Sequence, residues 1–234
     1  MAALSVIIPT LDEAHRIAET LDAIARVCPG AERIVVDGGS VDETVEKARA
    51  AGVVVLTAPR GRGRQLGVGA AFAHGEVLWF VHADAVPPEG AAQTIARALD
   101  DERVVAGCFD VRFGGPRKLA AAVVTWAYRF LRLFGVTYGD SAMFVKKRAY
   151  HDVGGFKDWT LFEDYALWKA LRAHGRVVEV STSVIASSRR FEGRSFVACF
   201  SRWCALQVLY WLGASPEWLA KRYAPVREQH VARK

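Results

Sequence analysis

Four short apolar runs, each followed by a stretch with helical character, constrain the fold of this chain more than any other feature. Residues 77–81 are wholly apolar and rich in β-branched and aromatic side chains, the pattern of a strand buried on both faces of a parallel sheet. Residues 4–8 read as a first buried strand, and residues 33–36 and 53–56 as two more. Between them, residues 12–27 carry Ile17, Leu21 and Ile24 at helical spacing, with Asp12-Glu13 expected as the cap. Residues 41–51 place acids early and bases late, in agreement with the helix dipole. A Gly/Arg loop at residues 60–64 leads into a third helix ending at Phe72. Strand and helix alternating in short units predict an α/β fold with a doubly wound, mostly parallel sheet flanked by helices.

The later part of the chain departs from this pattern. A helix to Leu99 and a strand over 104–111 are followed by apolar helices over 119–134 and 195–212. A short strand at 142–145, a helix at 163–173 and a strand at 176–180 lie between them. The expected organisation is one domain over residues 1–234, with a nucleotide-binding lobe over 1–112 and a smaller mixed lobe over 113–234. No repeat or low-complexity linker divides it.

In open α/β sheets, ligands bind beyond the carboxyl ends of the strands. Three polar turns fall there: Thr10–Glu13, Asp37-Gly38-Gly39-Ser40 and His82-Ala83-Asp84, the last closed by Pro87-Pro88. Any one of them could be a simple turn former; three on one edge point to a site. The Arg60-Gly-Arg62-Gly-Arg64 loop ahead of a helix could hold a diphosphate through guanidinium groups and helix amides. It is not the dinucleotide fingerprint, because Leu66 stands where the third glycine belongs. Glu163-Asp164 opens a helix, where acids are favoured electrostatically, and either could also serve as a general base.

A net charge of +6 suits an anionic partner. The arginines are scattered, so phosphate groups are a better expectation than nucleic acid. Cys28, Cys108, Cys199 and Cys204 show neither metal-site nor disulfide spacing and read as buried thiols of a reducing compartment. No secretory pattern precedes residues 4–8, and Arg202 within the last apolar helix argues against a membrane span, so a cytoplasmic location is expected. Residues 119–134, with Arg129 and Arg132, could instead lie in a membrane interface as a peripheral contact; packing against the sheet is the slightly favoured alternative.

Ser5-Val-Ile-Ile-Pro-Thr-Leu-Asp-Glu13, Ile34-Val-Val-Asp-Gly-Gly-Ser-Val-Asp42, the 75–88 segment, Gly154-Gly-Phe156 and Glu163-Asp-Tyr-Ala-Leu-Trp168 occur in that order. Together they resemble the family 2 glycosyltransferases of the GT-A fold. The resemblance implies transfer of a sugar from a nucleotide-diphospho-sugar donor with inversion, using a divalent metal, Mn2+ or Mg2+. It implies that Pro9, Thr10 and Glu13 line the nucleoside pocket and that Asp37, with Gly39, contacts the base or ribose. Arg60, Arg64, Gln65, His82 and Asp84 complete the implied donor set. Asp84 resembles the last Asp of the metal motif, His82 stands where its first Asp is expected, and Asp164 resembles the catalytic base with Glu163 beside it. Gly139, Asp140, Arg189 and Arg190 are implied on the acceptor or diphosphate side. Gly38 stands where many members carry a second Asp. The Gln-x-x-Arg-Trp signature of processive synthases is reduced to Cys199-Phe-Ser-Arg-Trp203, which implies single-sugar transfer to an acceptor hydroxyl or carboxylate. Small size, His-Ala-Asp and the Gly139-Asp140 turn look most like a bacterial subgroup found near radical-SAM or selenodomain genes. Two alternatives stay open: a sugar-phosphate nucleotidyltransferase, and a catalytically silent nucleotide-sugar or membrane-binding module.

Overall fold

A computed structural model describes residues 3–114, 118–132, 136–187 and 196–223. Seven strands form one mixed sheet: β1 (Leu4–Thr10), β2 (Glu32–Asp37), β3 (Val54–Thr57), β4 (Val77–Phe80), β5 (Val104–Gly114), β6 (Phe144–Lys146) and β7 (Arg176–Ser187). Their order is β3-β2-β1-β4-β6-β5-β7. The first four are parallel, β6 runs antiparallel to both β4 and β5, and β5 and β7 pair in parallel. The doubly wound pattern is therefore carried by the first half of the chain, while β6 reverses the sheet where the later half joins it.

Side-chain alternation along the strands builds two cores, because successive residues point to opposite faces. Val6, Ile8, Val35, Trp79 and Val81 face one layer, containing α1 (Ile17–Val27), α4 (Ala91–Leu99), Tyr128 of α5 (Lys118–Arg132) and Leu206 of α8 (Phe196–Trp211). Ile7, Ile34, Val36, Leu78 and Phe80 face the other, with Leu66 and Ala70 of α3 (Arg62–Phe72) and Leu167, Trp168 and Leu171 of α7 (Glu163–His174). Gly69 lets α3 sit tightly on the sheet, since a Cβ there would lie 3.0 Å from Val36 Cγ2. The remaining helices, α2 (Thr44–Ala50), α6 (Lys147–Asp152) and α9 (Pro216–Ala220), are short.

Several boundaries differ from expectation for identifiable reasons. Pro9 and Thr10 are the last residues of β1, paired with Val36 and Asp37, rather than a turn beyond it. Val81 N donates to Ile7 O, so odd-numbered positions of β1 face β4. The β1–β4 ladder ends at Ile7–Phe80, so the missing N–H of Pro9 falls past the last bond it could have broken. Helix α1 begins at Ile17, not at Asp12-Glu13, because those residues are spent on holding the next loop. Arg62 and Arg64, expected in a loop, lie in the first turn of α3. Strand β7 continues to Ser187, well beyond residue 180, because β5 pairs along it to Gly114. The four cysteines are free, Cys28 and Cys108 buried, Cys199 and Cys204 only partly so. Burial pushes the Cys28 thiol up to about 11 and the Cys108 thiol up to about 12.

Candidate active site

The loops after β1 and β2 are bound together by short polar side chains. Asp12 N donates to Ser40 Oγ at 2.9 Å, Glu13 N to Thr44 Oγ1 at 2.7 Å and Ala14 N to Asp42 Oδ2 at 3.1 Å. In return, Val41 N donates to Asp12 Oδ1 at 2.9 Å. Asp37, at the end of β2, accepts from Gly39 N at 2.8 Å, Ser40 N at 2.9 Å and Ser40 Oγ at 2.5 Å. Thr10 Oγ1 lies 3.4 Å from it. Gln65 reaches over from α3 and donates its amide to Thr10 O and Val36 O, both at 2.8 Å. A Cβ on Gly38 would lie 3.0 Å from the Gln65 amide nitrogen, so the Gln65 clamp and a glycine at 38 belong together. Thr10, Glu13, Asp37 and Gln65 are all buried here.

On the far side of β4 the carboxylates gather. Glu163 and Asp164, buried at the start of α7, are both held by Arg62: Nε lies 2.5 Å from Glu163 Oε1 and Nη2 3.2 Å from Asp164 Oδ2. Asp164 also accepts from Gly139 N at 2.6 Å and Tyr165 N at 2.7 Å. Burial works against the Arg62 charge, but Glu163, Asp164 and Asp140 outweigh it and hold the guanidinium above its ordinary value. Burial pushes the Glu163 carboxyl up; Arg62 opposes this and Asp164 adds to it. Glu163 Oε2 makes no hydrogen bond within the protein.

His82 joins this group. Its Nδ1 lies 3.1 Å from Asp140 Oδ1, in the 3-10 turn Gly139–Ser141, while its buried Nε2 has no hydrogen-bond partner. A Cβ placed on Gly139 would lie 2.9 Å from that Nε2 and 3.1 Å from Asp164 Oδ2, so a glycine is what lets the imidazole, the turn and Asp164 approach one another. A carboxylate behind one ring nitrogen is the arrangement that aims the other nitrogen's lone pair at a ligand. The His82-Ala83-Asp84 turn is anchored to α1 by Thr20 Oγ1 donating to Ala83 O at 2.7 Å. Asp84, two residues on, lines a surface groove against α1 with Arg16 and Arg26.

Among the described residues, three non-glycine positions have positive φ: Asp12 (53°), Ala142 (45°) and Phe162 (64°). All three sit beside these turns, directly after β1, after Gly139–Ser141 and before Glu163. Such strain persists only where surrounding contacts over-determine the backbone, and it gathers at functional sites. Here the Phe162 and Tyr210 rings lie 4.7 Å apart with 33° between planes, and Ala142 O accepts from Trp79 Nε1 at 3.0 Å.

The structure thus assembles Thr10, Glu13, Asp37, Gly39 and Gln65 on one flank, and His82, Gly139, Asp140, Glu163 and Asp164 on the other. Pro9 ends β1 between them. Arg60 is exposed at the loop before α3, and exposed Arg64 turns away to pair with Asp158. Arg189 and Arg190 lie outside the described residues, as do residues 133–135 at the end of the expected 119–134 helix. Sequence reasoning put Arg62 in a diphosphate-holding loop and missed its pairing with Glu163 and Asp164. Gly63 admits no Cβ, which would sit 2.6 Å from Lys157 O, so this turn is pressed against the loop leading to Glu163. Among the described residues no cluster of three or more His, Cys, Asp or Glu forms a metal cage. A cation completed by substrate phosphates and water needs only one or two protein ligands, and the unpartnered His82 Nε2 fits that kind, while Asp84 lines the groove against α1.

The model of the family described as "Glycosyl transferase family 2" matches residues 5–152, more than half of the chain. A glucosyl-3-phosphoglycerate synthase of Mycolicibacterium paratuberculosis is 33% identical over 96 residues, 36% of this chain and 29% of that protein. The chain therefore spans less than a third of that relative's length. Among solved structures, Staphylococcus aureus TarS 1-349 in complex with UDP-GlcNAc superposes with a TM-score of 0.64 at 20% identity, covering 84% of this chain and 61% of that one. Mycobacterium tuberculosis glucosyl-3-phosphoglycerate synthase with Mn2+, UDP and phosphoglyceric acid gives 0.62 at 19% identity, covering 92% and 80%. The superpositions carry the GT-A fold, the family match carries the ancestry, and the chain belongs to glycosyl transferase family 2.

Proposed function

We propose that the protein moves a single sugar from a nucleoside-diphosphate sugar to an acceptor hydroxyl or carboxylate, with inversion at the anomeric carbon. The observation that supports this above others is the pairing, along one sheet edge, of a preformed hydrogen-bonded cluster around Asp37 with a buried, oriented Asp164. The nucleoside sits against Thr10, Glu13 and Asp37, where backbone and hydroxyl groups already fix the Asp37 carboxylate. UDP is the nucleotide of choice, by analogy with the ligands of the TarS and mycobacterial structures.

Where the acceptor is a hydroxyl, Asp164 accepts its proton as that oxygen bonds to the anomeric carbon and the bond from that carbon to the diphosphate breaks. Attack from the side opposite the leaving group inverts the centre. Arg62 and the Gly139 N–H orient Asp164 for this task, and Glu163 holds the Nε side of Arg62, which leaves the Nη2 side on the base. His82 and Asp84 are the residues that would hold a divalent cation, which when bound neutralises charge on the departing diphosphate. An imidazole ligand favours Mn2+ over Mg2+.

A thermal-shift titration tests the reading. Ligands that bind the native state raise its melting temperature. UDP with Mn2+ should stabilise the protein more than UDP with a chelator, and His82→Ala should remove most of the difference. Equal stabilisation in Mn2+ and chelator would remove the metal from the proposal. No stabilisation by UDP in either would remove the donor pocket.

A further inference from the structure

Helix α5 has two unlike faces, and only the inner one is accounted for by the fold. On the outer face Val123, Trp126 and Phe130, spaced three and four residues apart, are 44%, 70% and 48% exposed. The Trp126 and Phe130 rings stack at 6.0 Å with 13° between planes, forming one apolar ridge. On the inner face Tyr128 OH lies 2.8 Å from Ser141 Oγ and accepts from Tyr138 N at 3.0 Å. Arg132 Nη2 donates to Ser141 Oγ at 2.9 Å and to Phe109 O at 2.6 Å. The same helix that presents the ridge therefore grips the turn whose Gly139 N–H holds Asp164.

The kind of partner follows from size and charge. Three side chains of this exposure offer on the order of 300 Å², well short of the ~800 Å² per partner that a stable protein interface buries. Spanning is also out of reach: no described helix is long and apolar enough to cross a membrane. A helix with aromatic residues on one face and no acidic residue anywhere, in a chain of net charge +6, matches the headgroup region of an anionic bilayer instead. Exposed Arg129, paired with Asp110, flanks the ridge.

We infer that α5 docks on an anionic membrane surface with Val123, Trp126 and Phe130 inserted, holding the Gly139–Ser141 turn behind it at about one helix diameter, ~10 Å, from that surface. Its meaning rests on the reading of Asp164 given above, since docking then tethers the site close to the membrane through the helix that grips this turn; the docking itself does not.

Co-sedimentation of the full chain with vesicles tests it, using phosphatidylcholine containing phosphatidylglycerol and, in parallel, phosphatidylcholine alone. The wild type should partition onto the anionic vesicles at least tenfold more strongly than Trp126→Ser/Phe130→Ser, and 1 M salt should weaken its binding. Both side chains are exposed, so the double variant should melt like the wild type; if it does not, Val123→Ser makes the same comparison. Equal partitioning of variant and wild type, or no wild-type binding to anionic vesicles, overturns the inference. So does a dimer, seen by sedimentation velocity, that the double substitution dissolves. Assaying nucleotide release alongside keeps the two readings apart: turnover that survives Asp164→Asn removes Asp164 as the base and leaves the partitioning result standing.

Discussion

The two flanks of the site are built in opposite ways. On the donor flank, Asp37 is satisfied within its own turn by Gly39 N, Ser40 N and Ser40 Oγ, and the loops after β1 and β2 are tied to each other across 28 to 31 residues. On the acceptor flank, the charged partner comes from much farther along the chain. Arg62 meets Glu163 and Asp164 across about a hundred residues. That flank also keeps two buried polar atoms, Glu163 Oε2 and His82 Nε2, without a partner in the protein. Buried polar atoms are nearly always satisfied, so these two atoms mark where, on the proposed function, the acceptor flank meets its ligand. The contrast also says where substitutions should hurt most.

The largest effect on stability should come from Arg62→Met. One half-buried guanidinium balances two buried carboxylates, and removing one partner of such a group costs roughly 2–4 kcal/mol once partial exposure is allowed for. Urea denaturation measures this, and Arg62→Met combined with Glu163→Gln should recover part of it. A harmless Arg62→Met would erase the difference between the flanks.

On the donor flank, Asp37→Ala should weaken UDP binding roughly tenfold or more, by about 1.5–3 kcal/mol for a lost charge-assisted hydrogen bond, as read by calorimetry. An unchanged affinity would move the nucleoside elsewhere. A smaller effect is expected for Gly38→Ala. The new methyl would press on the Gln65 amide, which is tied to Thr10 O and Val36 O, costing about 1–2 kcal/mol. In a double-mutant cycle with Gln65→Ala the two costs should not add; additivity would mean the clamp is not what demands glycine.

The smallest expected effect concerns pH. The Glu163 carboxyl is raised in the folded protein by burial, so the fold binds that proton more tightly than the unfolded chain does. The associated stability is complete below the ordinary carboxylate range and is lost as pH rises through the raised value. Melting temperatures across pH 4 to 8 should show this decline in the wild type and a flatter profile in Glu163→Gln. The same slope in both would place the titration on another group.

How far these flanks could be read from the sequence follows from the same contrast. The apolar runs marked β1, β2 and β4, and the turns after them marked the donor flank, because both depend on neighbours in sequence. Asp37-Gly38-Gly39-Ser40 is a turn whatever surrounds it. Glu163-Asp164 could be placed at a helix start for local reasons too. What local chemistry could not supply was direction. Nothing near Arg60, Arg62 or Arg64 says that the middle one reaches the carboxylates while the last pairs with Asp158. The start of α1 was misplaced because Asp12 and Glu13 bond across to residues 40–44 instead of capping their own helix. The antiparallel insertion of β6 between β4 and β5 is likewise a tertiary choice. Asp140 behind His82 Nδ1 gives that imidazole an orientation that no spacing announces.

The central claim is that Asp164 does the chemistry while the Asp37 pocket does the binding. Comparing wild type with Asp164→Asn, using UDP-sugar turnover followed by nucleotide release and UDP affinity by calorimetry, tests it most directly. The account predicts UDP as the released nucleotide, turnover lower by roughly a hundred- to ten-thousand-fold in the variant, and UDP affinity unchanged. Turnover retained by Asp164→Asn, or pyrophosphate released in place of UDP, would contradict it.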